Sequence, residues 1–212
     1  MIIEVRNVPP FSKNGFVIGC PETRESVLID PGDEVEELLE VIRDRDLTVN
    51  YILLTHAHLD HITGVARAKA ALGAPVGLHR ADEFLYKAAV QQGIAFGFKV
   101  APQPPLDFYI EEGGPWRFGP YAAWVHATPG HSPGGVCLAI GRDAEPARLL
   151  VVGDTLFAGG IGRTDLPGGN LAILLASIRN VLFAFPDDSV VWPGHGGSTT
   201  IGHERRTNPF LT

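Results

Sequence analysis

Three histidines and an aspartate fall within six positions of the segment Thr55-His56-Ala57-His58-Leu59-Asp60-His61, in a chain with eight histidines in all. Imidazole nitrogens and carboxylate oxygens are ligands that zinc, iron and manganese accept, and no cysteine stands nearby to make a thiolate site. The apolar run Ile52-Leu53-Leu54 just before the cluster reads as the end of a buried strand, and loops at strand ends are where α/β proteins place their chemistry. From an extended segment His56 and His58, two positions apart, point the same way. Asp60 and His61 then turn into the next helix and can face a second point.

Three further candidates close other strands. His131 sits in Thr128-Pro129-Gly130-His131-Ser132-Pro133-Gly134-Gly135, a rigid turn and not a core. Asp154 ends the apolar run Val151-Val152-Gly153, where a carboxylate is costly to bury unless it meets a cation. His195 lies in Trp192-Pro193-Gly194-His195-Gly196-Gly197. Singly, each fits a turn or cap as readily as a ligand. Together, five histidines and two aspartates exceed what one metal site uses while keeping a position open for substrate. His56, His58 and His131 could hold one divalent metal and Asp60, His61 and His195 a second, leaving Asp154 to bridge. Asp60 is expected to serve catalysis as well as ligation. Two metals roughly 3.5–4 Å apart share a water, lower its pKa towards neutrality and polarise a carbonyl or phosphoryl oxygen. The chemistry is metal-assisted hydrolysis by a metal-bridging hydroxide, with no need of a serine or cysteine nucleophile. Zinc is the first choice of metal, with iron or manganese also suited to these donors.

The elements that must position these groups are short. Residues 2–8, 15–18, 26–29, 51–54 and 75–78 read as strands from their β-branched and apolar runs. Asp33 is placed to cap a helix whose buried stripe is Val35, Leu38, Leu39, Val41 and Ile42. Residues 64–72 form a second helix ending at Gly73, and residues 81–91 a third. Residues 93–105, with two glycines and three prolines, read as a loop. From Trp116 on, strands return at 121–127, 136–140, 149–152 and 189–192, with a Gly-rich loop at 159–170. Asn170 caps a helix through Phe183, and residues 201–206 add a last helical turn or two. The later strands follow one another through turns, which suggests antiparallel pairing. Two groups of strands, each with helices, favour two mixed sheets face to face with helices outside over a single doubly wound sheet.

The bulk properties exclude several classes. The 212 residues are 45% hydrophobic, carry a net charge of −7 and include 25 glycines and 17 prolines. That suits a loop-rich α/β enzyme of one domain over residues 1–212 and argues against a helical bundle. An acidic chain with no Lys/Arg cluster predicts no nucleic-acid partner and no anionic membrane surface. No window reaches about 18 apolar residues, so no membrane-spanning helix is expected. Residues 1–11 lack the charged start and long apolar stretch of a leader, which points to the cytoplasm. Cys20 and Cys137 read as small buried apolar residues. A monomer and a homodimer are both compatible with the sequence.

The segment from Thr55 to His61, followed in order by His131, Asp154 and His195, resembles the metallo-β-lactamase superfamily from Asp30-Pro31-Gly32 to the C-terminus. The resemblance implies a four-layer αβ/βα sandwich with the metals at one edge of the two sheets. Within it, Gly153-Asp154-Thr155-Leu156-Phe157 followed by Gly162-Arg163-Thr164-Asp165 is similar to glyoxalase II-type hydrolases. The tail from Pro193-Gly194-His195-Gly196-Gly197 to Asn208-Pro209-Phe210-Leu211 is similar to their short bacterial relatives. Metallo-β-lactamases proper generally lack the bridging aspartate, so Asp154 speaks against antibiotic hydrolysis as the main role. The implied substrates are small-molecule thioesters like S-lactoylglutathione. No separate C-terminal helical glutathione-binding domain is expected, which leaves glutathione itself open. A persulfide dioxygenase is the alternative, because His61-Ile62-Thr63-Gly64 and the Gly162–Asp165 segment are also similar to that group. A single iron would then map to His56, His131 and Asp154. The Pro193-Gly194-His195-Gly196-Gly197 segment resembles the hydrolases instead. Lactonase, phosphodiesterase or weak β-lactamase activity would follow from water activation by the same centre.

Arg163 is the residue expected to bind substrate, through the bidentate fork that suits a carboxylate. Asp165 could orient it. Gly159, Gly160 and Gly162 read as turn chemistry. His79, His126 and His203 read as structural, with His126 near enough to His131 to support it.

Overall fold

The computed structural model describes residues 1–143 and 145–212. The chain divides into two compact units, Met1–Ile110 with Arg117–Pro120, and Glu111–Trp116 with Tyr121–Thr212.

The first unit is built on a six-stranded mixed sheet in sequence order: β1 (Ile2–Arg6), β2 (Gly15–Gly19), β3 (Glu25–Ile29), β4 (Thr48–Leu53), β5 (Val76–His79) and β6 (Phe108–Ile110). β1, β2 and β3 are antiparallel, and β3 to β6 are parallel. Parallel neighbours need crossovers, which α1 (Val35–Asp44) and α3 (Val65–Leu72) supply. The buried face of α1 carries Val35, Leu38, Val41 and Ile42, as its spacing predicts, in one core with Val17, Leu28, Ile52 and Val76. α3 ends at Gly73 in the left-handed conformation, also as expected.

Several expectations change here. Asp33 does not cap α1: its Oδ1 accepts from the Thr63 hydroxyl at 2.7 Å, and the N-cap residue is Glu34 without a side-chain cap bond. β4 starts at Thr48, three residues early: Thr48 and Val49 pair with Glu25 and Ser26, and the polar Asn50 is passed over as a bulge, its amide donating to Glu25 at 3.1 Å. The helix expected over 81–91 is a 3-10 turn at Arg80–Asp82, then α4 (Glu83–Lys87) and α5 (Ala89–Phe96), broken at Ala88. α5 runs through Gly93 into the expected loop. The returning chain lies on that glycine: Phe98 N–H donates to its carbonyl at 2.8 Å, and a Cβ would stand 2.9 Å from the Phe98 carbonyl oxygen. The short α2 (Leu59–Ile62) and the strand β6 complete the unit.

The second six-stranded sheet has the order β14-β13-β10-β9-β8-β7, with β7 at Gly113–Phe118, β8 at Tyr121–Ala127, β9 at Val136–Arg142, β10 at Leu149–Gly153, β13 at Val190–Pro193 and β14 at Thr199–Thr200. A small hairpin, β11 (Leu156–Phe157) and β12 (Gly160–Ile161), occupies part of the expected Gly-rich loop. β8, β9 and β10 are antiparallel as expected, but β13 runs parallel to β10. The crossover that permits this is α6 (Leu171–Asn180), capped by Asn170, whose Oδ1 accepts from Ile173 N–H at 3.1 Å. α6 stops at Asn180, and a 3-10 turn covers Leu182–Ala184. Leu174 and Ile178 of α6 share a core with Cys137, Ala139, Leu150, Val152 and Val191, joined by Ile201 of α7 (Ile201–Thr207). Among the described residues no helix is long and apolar enough to cross a membrane.

Candidate metal centre

The strand pairing gathers the first unit's candidates at one sheet edge. β3 and β4 are parallel with Ile29 opposite Leu53, so the residues that follow each strand emerge side by side. Asp30 therefore meets Thr55, whose N–H donates to Asp30 Oδ1 at 2.7 Å and whose hydroxyl donates to Oδ2 at 2.5 Å. The same Oδ2 accepts from His61 Nδ1 at 2.8 Å. The backbone of Ala57, between His56 and His58, is held at both ends: its N–H donates to Asp82 at 3.1 Å and its carbonyl accepts from Gln92 at 3.0 Å. His58 then opens α2 in an extended conformation, and the helix carries Asp60 and His61. The rings of His56 and His58 lie 4.9 Å apart and those of His56 and His61 4.0 Å apart, all three buried. Ligand atoms of Asp30, His56 and His61 all lie within 4.8 Å of one another.

The hydrogen bonds fix which nitrogen each ring can offer. An imidazole whose Nδ1–H is bound by a carboxylate or carbonyl keeps its lone pair on Nε2. His61 is in that state through Asp30. Thr55 gives its one hydroxyl proton to Asp30, so His56 Nδ1, 3.2 Å from that oxygen, is the donor in their contact. Both rings thus keep the lone pair on Nε2, the atom each could offer to a metal.

The second unit repeats the arrangement. Parallel β10 and β13 end together, with Gly194 N–H donating to the Gly153 carbonyl at 2.8 Å, so Asp154 and His195 emerge as neighbours. The β8–β9 loop returns to the same end of the sheet, and the Thr155 hydroxyl donates to that of Thr128 at 3.1 Å. His131 Nδ1 donates to the Arg163 carbonyl at 2.8 Å, which again leaves Nε2 as the lone-pair nitrogen. Asp154 Oδ2 stands 3.6 Å from His131 Nε2 and 3.6 Å from His195 Nε2. In the first unit, His61 Nε2 and Asp60 Oδ2 are 3.8 Å apart. These separations exceed hydrogen-bond length. They approach the roughly 3.3–3.4 Å between two ligand atoms on a tetrahedral ion with bonds of about 2.0–2.1 Å. The donors present therefore fit a divalent metal: oriented imidazoles and carboxylates at ligand-to-ligand spacing.

Gly162 departs from its expected role. Its φ is not positive, unlike that of Gly159 at +73°. A Cβ on Gly162 would fall on the Asp154 carbonyl oxygen and come 3.1 Å from His131 Nδ1. The residue is glycine for close approach to the candidate ligands, whereas Gly159 serves the turn. Arg163 extends into solvent, where its guanidinium grips Asp165 in a fork of 2.7 and 2.8 Å. That contact holds the Asp165 carboxyl down to about 2 and raises the arginine further. Asp165 does orient Arg163.

Asp30 was not among the candidate ligands, yet its carboxylate anchors both ends of the Thr55–His61 segment. Its one sequence signal is the Asp-Pro-Gly turn placed directly after an apolar strand. The remaining histidines are structural: His79 Nδ1 accepts from Ala81 N–H at 3.3 Å, His203 lies exposed on α7, and His126 meets the Phe185 ring edge-on at 5.1 Å.

The family profile of the Metallo-beta-lactamase superfamily matches residues 8–195. Hydroxyacylglutathione hydrolase GloC of Haemophilus influenzae is 37% identical over 213 residues, covering 100% of this chain and 98% of that protein. Among solved structures, the BLEG-1 B3 metallo-beta-lactamase superposes with a TM-score of 0.89 at 36% identity, covering 100% of both chains. TTHA1623 in a di-iron-bound form gives a TM-score of 0.86 at 40% identity, covering 98% of this chain and 100% of that one.

Proposed function

This chain belongs to the metallo-β-lactamase superfamily and is a metal-dependent hydrolase of that group, and we propose that it cleaves thioesters of the hydroxyacylglutathione kind with two metals. The observation that carries this is Asp154, with one oxygen equidistant from two imidazole nitrogens. His56, His58 and His131 would hold one metal, Asp60, His61 and His195 the other, and Asp154 both. Bound there, the metals would supply an acidified water and a Lewis acid for the thioester carbonyl. The protein's part is orientation. Asp30 and the Arg163 carbonyl fix the rings of His61 and His131, and Asp60 would serve the second metal as carboxylate ligand and the reaction as proton acceptor. Arg163 offers its guanidinium to a substrate carboxylate. Water and thioester yield a carboxylic acid and a thiol. Zinc is the metal put first, while the di-iron-bound relative supports iron as a substitute.

Elemental analysis of protein purified without added metal tests this, followed by S-lactoylglutathione hydrolysis. About two metals per chain and turnover are expected, both lost in Asp60→Ala or His61→Ala. Full turnover with one metal per chain defeats the two-metal mechanism. A single iron, with oxygen uptake on a glutathione persulfide, replaces the hydrolase by the dioxygenase. A second reading, β-lactam hydrolysis, is favoured by the likeness to BLEG-1. A chromogenic cephalosporin decides it: kcat/KM should be at least about tenfold below that for the thioester, a gap of one transition-state increment of about 1.4 kcal/mol.

A further inference from the structure

Beneath α2 lies an ion pair that the chemistry above does not use. Lys13 Nζ and Glu34 Oε1 are 2.5 Å apart, and the two side chains are 1% and 2% exposed. Lys13 also donates to the Asp30 carbonyl, and Gly32 N–H donates to Glu34 Oε1 at 2.9 Å. The pair thus binds both sides of Pro31, which has no N–H of its own.

That turn sets the candidate ligands in three ways. Asp30 directs His61 and Thr55. The Pro31 carbonyl accepts from Gly64 N–H at 3.0 Å, just past the end of α2. Gly32 lies against the Asp60 carbonyl so closely that a Cβ would collide with it. Asp30 itself has φ of +49°, a left-handed conformation that a non-glycine residue holds only when its surroundings impose it. Lys13 adds to that constraint by gripping the carbonyl, beside the Asp30 N–H bond to the Leu53 carbonyl at 3.1 Å. The room for the pair is also built in. A Cβ on Gly15 would overlap the Glu34 carboxylate, and one on Gly32 would stand 2.8 Å from Lys13 Cε. Burying two charges is costly enough that apolar replacements of similar volume are often no less stable. Fold stability is therefore a weak reason for this pair.

We propose that Lys13 and Glu34 are positioning residues: they clamp the Asp30-Pro31-Gly32 turn and thereby hold His61 in its metal-binding tautomer and Asp60 in place. The inference rests on the assignment of Asp60 and His61 as metal ligands. Its test is the paired variant Lys13→Met with Glu34→Leu, which leaves neither charge unmatched. Nitrogen NMR of the His61 ring in metal-free protein should show one Nδ1-protonated tautomer in the wild type and a mixture in the double variant. Zinc affinity, titrated against a competing chelator, should fall about 10–100-fold, as for other residues that orient a ligand, while the metal-free melting temperature stays close to that of the wild type. An unchanged tautomer with unchanged zinc affinity overturns the proposal. A wild-type chain that takes up no zinc defeats the ligand assignment instead, and the tautomer still decides the clamp. If the double variant does not fold, Glu34→Gln, which keeps the volume, is judged by the same spectra.

Discussion

The carboxylate of Asp30 and the imidazole of His61 meet at 2.8 Å with neither exposed to solvent, although 31 positions separate them. Parallel pairing of β3 with β4 brings them together, because it levels the ends of two strands that the chain connects through α1. The contact decides which nitrogen of His61 is available. In Asp30→Asn the amide can offer N–H where the carboxylate accepted, which favours the opposite tautomer and closes Nε2. Zinc affinity should fall by about 10–100-fold with little change in volume, measured by competition with a chelator. Unaltered affinity would remove Asp30 from the machinery.

Gly162→Ala forces a methyl against the Asp154 carbonyl and the His131 ring. Both neighbours belong to the candidate centre, so kcat should drop by at least about tenfold, a loss of roughly 1.4 kcal/mol in transition-state stabilisation. Gly159→Ala, with open space around its Cβ, should cost stability through its positive φ and leave kcat near the wild-type value. Steady-state kinetics beside thermal melts separates the two.

Arg163 is held by Asp165 through Nε and one Nη, and its side chain stays more than half exposed. Arg163→Ala should raise KM for a carboxylate-bearing thioester and leave KM for a neutral thioester unchanged. Arg163→Lys should not restore it, because an ammonium lacks the bidentate geometry. Equal KM values on both substrates across the series would exclude substrate recognition by this residue.

Burial holds His126 below its ordinary range, with Glu112 opposing in part, and Glu112 and Glu145 line the same cavity. The unfolded chain therefore takes up this proton at a higher pH than the folded one. The contribution of the neutral ring to stability is complete above about 6.5 and declines as the pH falls below that value. His126→Phe, which can keep the edge contact with Phe185, removes that dependence. The melting temperature of the variant should gain on the wild type between pH 7.5 and pH 5, and a constant difference would contradict the sign.

Much of the centre was written locally. The Thr55–His61 segment, His131, Asp154 and His195 announce themselves by residue type and by their place after apolar runs, and each lies at the strand end expected of it. The stripe of α1, the Asn170 cap and the Gly73 stop were legible for the same reason, since periodicity and capping are properties of adjacent residues. Other features have no local signature. The break at Ala88 and the passage of α5 through Gly93 depend on the chain that returns over that glycine. The parallel pairing of β10 with β13, which sets Asp154 beside His195, depends on a crossover helix. The burial of Asp30 and of the Lys13–Glu34 pair has no local signature either, because charge in a sequence carries no information about burial. The sequence by itself determined which donors exist and the chemistry they can do. Only the tertiary structure decided which atoms those donors present, because ring tautomers and carboxylate partners follow from strand register between residues far apart in the chain.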